Sequence, residues 1–292
     1  MAHSHISIGG YDTIFETPAN YSSVDTPCKW VIFEHGTGVD VTTDNWDEII
    51  NTFVTHGYVF VAPMTGVNAW GNQVSIDNNL TVYNYIKENY NVESQAILVG
   101  HSMGGLIALN SFVRYPVNYK CIVALYPESD LDAPYQPKTG NTDFSSEINT
   151  AFGCSSDTYA VLTSGYNPWS RFQDYADADL HMQIWHGSLD VVVNPNQSTG
   201  FRDGVNVLAG NNNVEVRIVE GGAHDSDLSE TVFLAEVFSY LSTFINEVPS
   251  VKIKVGNDLR QFIRAYVKIS ETELALVTNA YERIGDSLRF SF

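Results

Sequence analysis

The stretch Ala96-Ile97-Leu98-Val99-Gly100-His101-Ser102-Met103-Gly104-Gly105 decides how the rest of the chain is read. Its four leading apolar residues read as a buried strand, of the kind that runs uninterrupted when both faces of a sheet are covered. Gly-His-Ser-Met-Gly follows at once, and residues 106–115 carry helical spacing until Pro116 stops it. A serine on a tight strand-to-helix turn projects its hydroxyl away from the sheet, and flanking glycines remove side chains that would clash there. The helix N-terminus behind it aims backbone N–H groups at the same spot, where they favour developing negative charge. This turn is where chemistry is expected.

Outward from it, apolar runs and helical stretches alternate in the manner of a mostly parallel sheet with helices on both faces. Trp30-Val31-Ile32-Phe33 reads as a strand ending at His35-Gly36-Thr37-Gly38, and residues 44–55 read as a helix through Ile49, Ile50, Phe53 and Val54. Residues 58–62 form the next expected strand, followed by a helix with Leu80, Tyr83, Ile86 and Tyr90 on one side. Cys121-Ile122-Val123-Ala124-Leu125 is a further buried strand. From 130 to 180 the alternation gives way to Gly, Pro, Tyr, Ser and Asp, too long a stretch for a plain connection, so an insertion over one face of the sheet is expected. Strands at 181–185 and 214–219 and helices at 196–208 and about 227–245 complete the pattern.

Composition narrows the function. The chain has 292 residues, of which 44% are hydrophobic and 17% charged, an ordinary globular balance. Lys and Arg number 15 against 34 Asp and Glu, a formal net charge of -19 that repels phosphate backbones and anionic lipid. Neither nucleic acid nor a membrane surface is an expected partner, and no apolar run is long enough for a membrane span. No secretory leader is legible at the N-terminus, where His3 and His5 read as a frayed end; a cytoplasmic chain is the default, with attachment to a surface structure or virion open. Cys28, Cys121 and Cys154 are too scattered for a disulfide framework or a thiolate zinc site. Asp174, Asp177 and Asp179 lack ordered ligand spacing and read as solvated surface, so neither metal nor cofactor is expected.

A serine nucleophile needs a base, and the base an orienting acid. His224 stands in Glu220-Gly221-Gly222-Ala223-His224-Asp225, a glycine-rich loop after the last expected strand, where a mobile imidazole suits proton shuttling. Asp190, in Trp185-His186-Gly187-Ser188-Leu189-Asp190, follows the strand before it and is the expected acid; Asp130 is the alternative, while Asp225 reads as a helix cap. The N–H groups of Met103, after the serine, and Thr37, in the earlier glycine turn, are the expected oxyanion donors. Trp70, Tyr135, Tyr166 and Trp169, with His186 beside the acid, are the expected substrate contacts.

With these residues in view, the chain resembles the α/β-hydrolases. The resemblance spans residues 28–248 and rests on the His-Gly-x-Gly turn at 35–38, Gly-His-Ser-Met-Gly-Gly at 100–105, the His186-Gly187 to Asp190-Val193 stretch and the late His224. The acid stretch is similar to that of dienelactone-hydrolase-like and cutinase- or polyester-hydrolase-like members. Dienelactone hydrolases carry cysteine where this chain has Ser102, so the resemblance implies a serine esterase or lipase cleaving small-molecule or polymeric esters. The order Ser102, Asp190, His224 matches that superfamily. A peptidase, thioesterase or amide hydrolase with the same triad remains open, as does a silent hydrolase-like fold serving a larger assembly.

Beyond Pro249 the pattern changes. The last 44 residues hold 7 of the 15 basic residues and only 5 of the 34 acidic ones. Val251-Lys252-Ile253-Lys254-Val255 alternates as a strand does, while residues 259–269 fit a helix face or a strand equally well. Residues 249–292 are expected to form a small appended module for docking or self-association.

Overall fold

The structure, a computed structural model, describes residues 3–38, 46–64, 68–136, 142–224 and 231–244, together with six short strands between residues 250 and 290. It opens with a hairpin that the hydropathy pattern does not announce, β1 (His5–Ile8) paired antiparallel with β2 (Tyr11–Glu16). His5, expected in a frayed end, opens β1 and sets its Nδ1 3.0 Å from Asp12 Oδ2. Ile8 is buried in β1 and Thr13, Ile14 and Phe15 in β2, too short an apolar signal to read, and pairing of β2 along β4 (Tyr58–Pro63) is what holds the hairpin in place.

The remaining expected strands all form. β3 (Lys29–Glu34), β4, β5 (Ala96–His101), β6 (Tyr119–Leu125), β7 (Met182–Gly187) and β8 (Val214–Val219) pair in parallel. The whole eight-stranded order is β1-β2-β4-β3-β5-β6-β7-β8. β4, β5 and β7 are buried along their full length, which is why β4 and β5 run largely apolar instead of alternating, while β7 also buries Gln183 and His186. The order places β5, and the serine turn at its end, in the middle of the sheet, with β7 and β8 to one side carrying Asp190 and His224 just past their ends.

Helices cover the strands. α1 (Asp47–Thr55) buries Ile49, Ile50 and Phe53 as expected. α2 (Gln73–Asn89) forms, with Asn72 accepting from Ser75 N–H as its cap, yet it buries Ser75, Ile76, Asn78, Asn79, Val82 and Ile86 and leaves Leu80, Tyr83 and Tyr90 only half-covered. The large apolar residues mark one stripe, but the helix turns a more polar one inward because Asn79 Nδ2 donates to Ser111 Oγ at 2.9 Å on α3 (Met103–Arg114). α3 itself is buried from Met103 to Phe112, as a central helix between sheet and neighbours must be.

The insertion is a set of short helices, α4 (Asp132–Tyr135), α5 (Ser145–Phe152), α6 (Tyr159–Leu162) and α7 (Phe172–Asp177). It has an apolar cluster of its own, in which Leu131, Tyr135, Ile148 and Tyr159 pack with Ala69, Trp70, Met103, Leu106 and Ile107. The insertion is therefore fastened to the first turns of α3, beside the serine. α8 (Asn196–Ala209) and α9 (Thr231–Thr243) follow, and Asp225 lies outside the described residues. No helix among the described residues is long and apolar enough to cross a membrane.

The chain divides into two compact units, Met1–Val237 and Phe238–Phe292, the division falling inside α9. In the second unit β9 (Ser250–Val255) pairs with β10 (Asp258–Ile263), β11 (Tyr266–Lys268) with β12 (Leu274–Leu276), and β13 (Tyr281–Ile284) with β14 (Ser287–Phe290), all antiparallel. The ambiguity around residues 259–269 resolves to strand.

Asn79→Ala should cost about 1–3 kcal/mol in urea unfolding, because it strands the Ser111 hydroxyl in the α2–α3 contact. Asn79→Ala combined with Ser111→Ala should recover part of that loss.

Candidate active site

Ser102 sits between β5 and α3 with φ 52° and ψ -121°, a left-handed conformation that costs a non-glycine residue on the order of 1–3 kcal/mol. Surrounding structure fixes it. Ser102 N–H donates to Leu125 O at 2.9 Å, and Ser102 O accepts from Gly105 N–H and Glu128 N–H, both at 2.9 Å. Gly104 is required by close approach, since a Cβ there would strike the carbonyl of Glu34. The turn is thus clamped between the ends of β3 and β6, its serine on the outer side.

The second histidine loop is built differently from its expected role as a mobile segment. A Cβ on Gly187 would collide with Gly222, Leu189 N–H donates to Gly222 O at 2.7 Å, and Gly221 N–H donates to Ser188 Oγ at 2.8 Å. Gly222 serves close packing against Gly187, while Gly221 supplies a positive φ of 75°, and together they stitch the turn after β8 to the turn after β7. Asp190 and His224 are held as one piece.

The three expected residues meet. His224 Nδ1 lies 2.7 Å from Asp190 Oδ2, and His224 Nε2 lies 3.1 Å from Ser102 Oγ. The carboxylate fixes the proton on Nδ1, leaving Nε2 to accept from the serine hydroxyl. Asp130, the alternative acid, stands elsewhere: its Oδ1 accepts from Asn167 Nδ2 at 2.9 Å and Asp132 N–H at 3.1 Å, which braces the start of the insertion.

Asp190 is buried, and burial alone would raise its pKa. Hydrogen bonds from His186 and His224 and from the Val193 N–H outweigh that and hold the carboxyl well below the usual carboxylate range. Its Oδ1 accepts from Val192 and Val193 N–H, both at 2.9 Å. His186, expected as a substrate contact, is instead fully buried behind the acid. Its Nε2 lies 2.9 Å from Val193 O and 3.2 Å from Asp190 Oδ2, and its Nδ1 lies 2.7 Å from Ser198 Oγ. It is a brace for Asp190.

The aromatic residues expected in the cleft are also packing groups. Trp70 is fully buried in the insertion's apolar cluster, its ring 5.1 Å from that of Phe144. Tyr135 stacks on Tyr159 with centroids 3.5 Å apart, and its hydroxyl donates to Asn149 Oδ1. Tyr166 donates to Gln73 Oε1, and Trp169 covers Gly200 of α8. Trp70, Tyr135 and Tyr166 pack in or against the insertion's apolar cluster, while Trp169 lies partly exposed beside Phe172 and Gly200. Rings the sequence did not single out surround the imidazole: Tyr126 at 5.7 Å and His101 at 5.9 Å from His224, between centroids.

Opposite the histidine, Gly36 brings the His35–Gly38 turn against the serine, so close that a Cβ on Gly36 would lie 3.3 Å from Ser102 Cβ. Thr37 follows, its Oγ1 2.5 Å from Asn68 Oδ1 and 2.6 Å from Glu147 Oε2 on α5. Gly38 N–H donates to the same Asn68 oxygen at 2.9 Å. Met103 is the first residue of α3, where backbone N–H groups lack intrahelical acceptors. Asn68 and Glu147 carry no motif and were not legible.

Two carboxyls near the turn are fully buried. Burial pushes Glu34, at the end of β3, up to about 8, partly offset by Asn79, and pushes Glu128 up to about 8, partly offset by Gln197. Among the described residues no group of three or more His, Cys, Asp or Glu is placed to hold a metal ion.

This fold and site define a serine hydrolase of the α/β-hydrolase class. The family model of the prolyl oligopeptidase family matches residues 65–247, and the chain belongs to that family. No curated protein matches it in sequence. Among solved structures, Est1E from Butyrivibrio proteoclasticus is similar with a TM-score of 0.63 and 17% identity over 84% of this chain and 99% of its own. A puromycin-hydrolyzing peptidase of Mycobacterium tuberculosis has a TM-score of 0.68 and 17% identity, this chain spanning 39% of its length. A CIB-like hydrolase from Thermoplasma acidophilum has a TM-score of 0.54 and 16% identity, with 97% of that chain covered.

Glu34 and Glu128 each hold a proton more tightly when folded than the ordinary value of 4.5 allows when unfolded. Their contribution to stability is therefore present below about pH 4.5 and is lost as pH rises through about 8. Melting temperature should decline over that window, and Glu128→Gln should flatten the decline in a thermal-melt series at stepped pH. A variant with an unchanged slope would place Glu128 in contact with water.

Proposed function

We propose that the chain hydrolyses carboxylic esters through an acyl-enzyme, with Ser102 as nucleophile, His224 as general base and Asp190 as its orienter. The observation that carries this is the unbroken run from Asp190 Oδ2 through both nitrogens of His224 to Ser102 Oγ. Oγ bonds to the carbonyl carbon as its proton passes to Nε2, and the carbonyl oxygen becomes an oxyanion facing the N–H groups of Met103 and Thr37. Collapse breaks the ester C–O bond, and the imidazolium returns the proton to the departing alcohol. Water, activated by the same nitrogen, then releases the acid. Asp190 stays ionised throughout, consistent with its depressed pKa, and stabilises the imidazolium.

Support for the ester comes from the extent of the likeness to Est1E, an esterase by its name, which this chain covers almost end to end. Membership of the prolyl oligopeptidase family favours a second reading, in which the same residues open a peptide or other amide bond. The steps are the same; only the leaving group differs. A panel of p-nitrophenyl esters from acetyl to long-chain, set against aminoacyl p-nitroanilides, separates the two by kcat/KM. Anilides that outrun every ester would hand the assignment to the peptidase reading.

Ser102→Ala should lower kcat by roughly four to six orders of magnitude. Asp190→Asn should lower it by about four, through the wrong imidazole tautomer, while Asp130→Asn should leave it within a few-fold. Wild-type turnover by Ser102→Ala, or failure of the native chain to label with a fluorophosphonate probe, would overturn the reading in favour of a silent scaffold. We also infer that residues 249–292 serve docking or self-association, since they are relatively basic and pair among themselves as hairpins. A chain ending at 248 should keep its turnover and lose any self-association seen by light scattering.

A further inference from the structure

We propose that Glu147, in the insertion, is a positioning residue for the oxyanion-side turn, acting through the Thr37 hydroxyl. This rests on the hydrolase reading above. Thr37 occupies the turn that Gly36 holds against Ser102, so the placement of its backbone N–H decides whether an oxyanion is received. Nothing about Thr37 is fixed by regular structure, because β3 ends at Glu34 and Gly38 turns away with φ 68°. Its side chain supplies the restraint, with Asn68 Oδ1 on one side and Glu147 Oε2 on the other.

Asn68 directly precedes Ala69 and Trp70, and Glu147 stands on α5 beside Ile148, so the insertion's apolar cluster holds both anchors. Phe144 packs on Trp70, and Ile148 is fully buried. Asn149 Oδ1 accepts from Tyr135, and Ala151 O accepts from Asn72 Nδ2 at 2.7 Å. Glu147 is therefore a fixed post, and a short contact to a fixed post transmits position. Its separation from Thr37 by 110 residues means that the insertion, rather than the turn's own sequence, sets the turn.

Proton counting sharpens the roles. A threonine hydroxyl has one hydrogen to donate and two lone pairs. Asn68 Oδ1 already accepts from Gly38 N–H and faces Thr37 Oγ1 as a second acceptor. The Thr37 proton directed at Glu147 Oε2 lets the carboxylate orient the hydroxyl. Glutamine keeps an acceptor oxygen at the same reach, and alanine keeps none. Glu147→Gln is thus the variant that keeps the post, and Glu147→Ala the one that removes it. Glu147 is only half-buried, so neither change threatens the fold.

The experiment measures the second-order rate of fluorophosphonate labelling of Ser102, which needs nucleophile and oxyanion site but no matched substrate, alongside kcat and KM on the best ester found. Glu147→Ala should lower kcat and the labelling rate about 10- to 100-fold, the scale of a small misplacement at a reacting centre, with KM within about twofold. Glu147→Gln should recover most of that loss. Thr37→Val, which keeps the backbone N–H and removes the hydroxyl, should match Glu147→Ala, and the double variant should be no worse than either alone. Labelling by Glu147→Ala at the native rate, a failure of glutamine to rescue, or losses that multiply in the double variant would each overturn the proposal while leaving the hydrolase reading intact. A native chain that does not label overturns both.

Discussion

The backbone of Ser102 is the constraint on which the rest of the molecule depends. A non-glycine residue at φ 52° is unfavourable by itself, and it persists only because a fully buried strand enters it and a helix buried from Met103 to Phe112 leaves it. The close approach at Gly104 follows from the same requirement, as do the hydrogen bonds to Leu125 O and from Glu128 N–H that tie the turn to the neighbouring strand end. The parallel sheet provides the stiffness, and the strain aims a hydroxyl. A looser scaffold would let the turn relax to an ordinary conformation and withdraw the oxygen from its histidine.

Most of this was legible because the constraint writes itself into sequence. Buried parallel strands are largely apolar on both faces, so β3 to β6 each carry an unbroken apolar run, and a strand-to-helix turn of this tightness admits few residues besides glycine around the serine. Asp190 and His224 were legible for a related reason, each following a recognisable strand in the order the fold demands. The N-terminal hairpin was not, because Ile8 and Ile14 are the chief buried aliphatics in β1 and β2 and a hairpin resting on a sheet edge needs little more. The inward face of α2 was misjudged because Asn79, paired with Ser111, is buried while Leu80 is not, which hydropathy cannot anticipate.

The site's surroundings were the least legible part. Residue type alone points Trp70, Tyr135, Tyr166 and Trp169 at substrate, yet the first three are placed by the insertion's apolar centre and Trp169 by its packing on Gly200. His186 was placed near the right residue with the wrong role, since adjacency to Asp190 in sequence does not say on which side of the carboxylate the ring falls. Glu147 and Asn68 meet Thr37 from distant parts of the chain, and no local pattern marks such a meeting. Packing and long-range hydrogen bonds were therefore the missing information, while the covalent order of the reacting groups was present from the start.

The stitching of the turn after β7 to the turn after β8 separates the molecule into two mechanical parts. The hydroxyl belongs to the middle of the sheet, whereas its imidazole follows β8, which among the described strands has a neighbour on one side only and carries half-exposed side chains, and its carboxylate follows β7 beside it. Edges of sheets open before their centres do. Warming or mild denaturant would accordingly detach the proton acceptor as a unit while the serine turn still stood, and loss of turnover would precede loss of the fold.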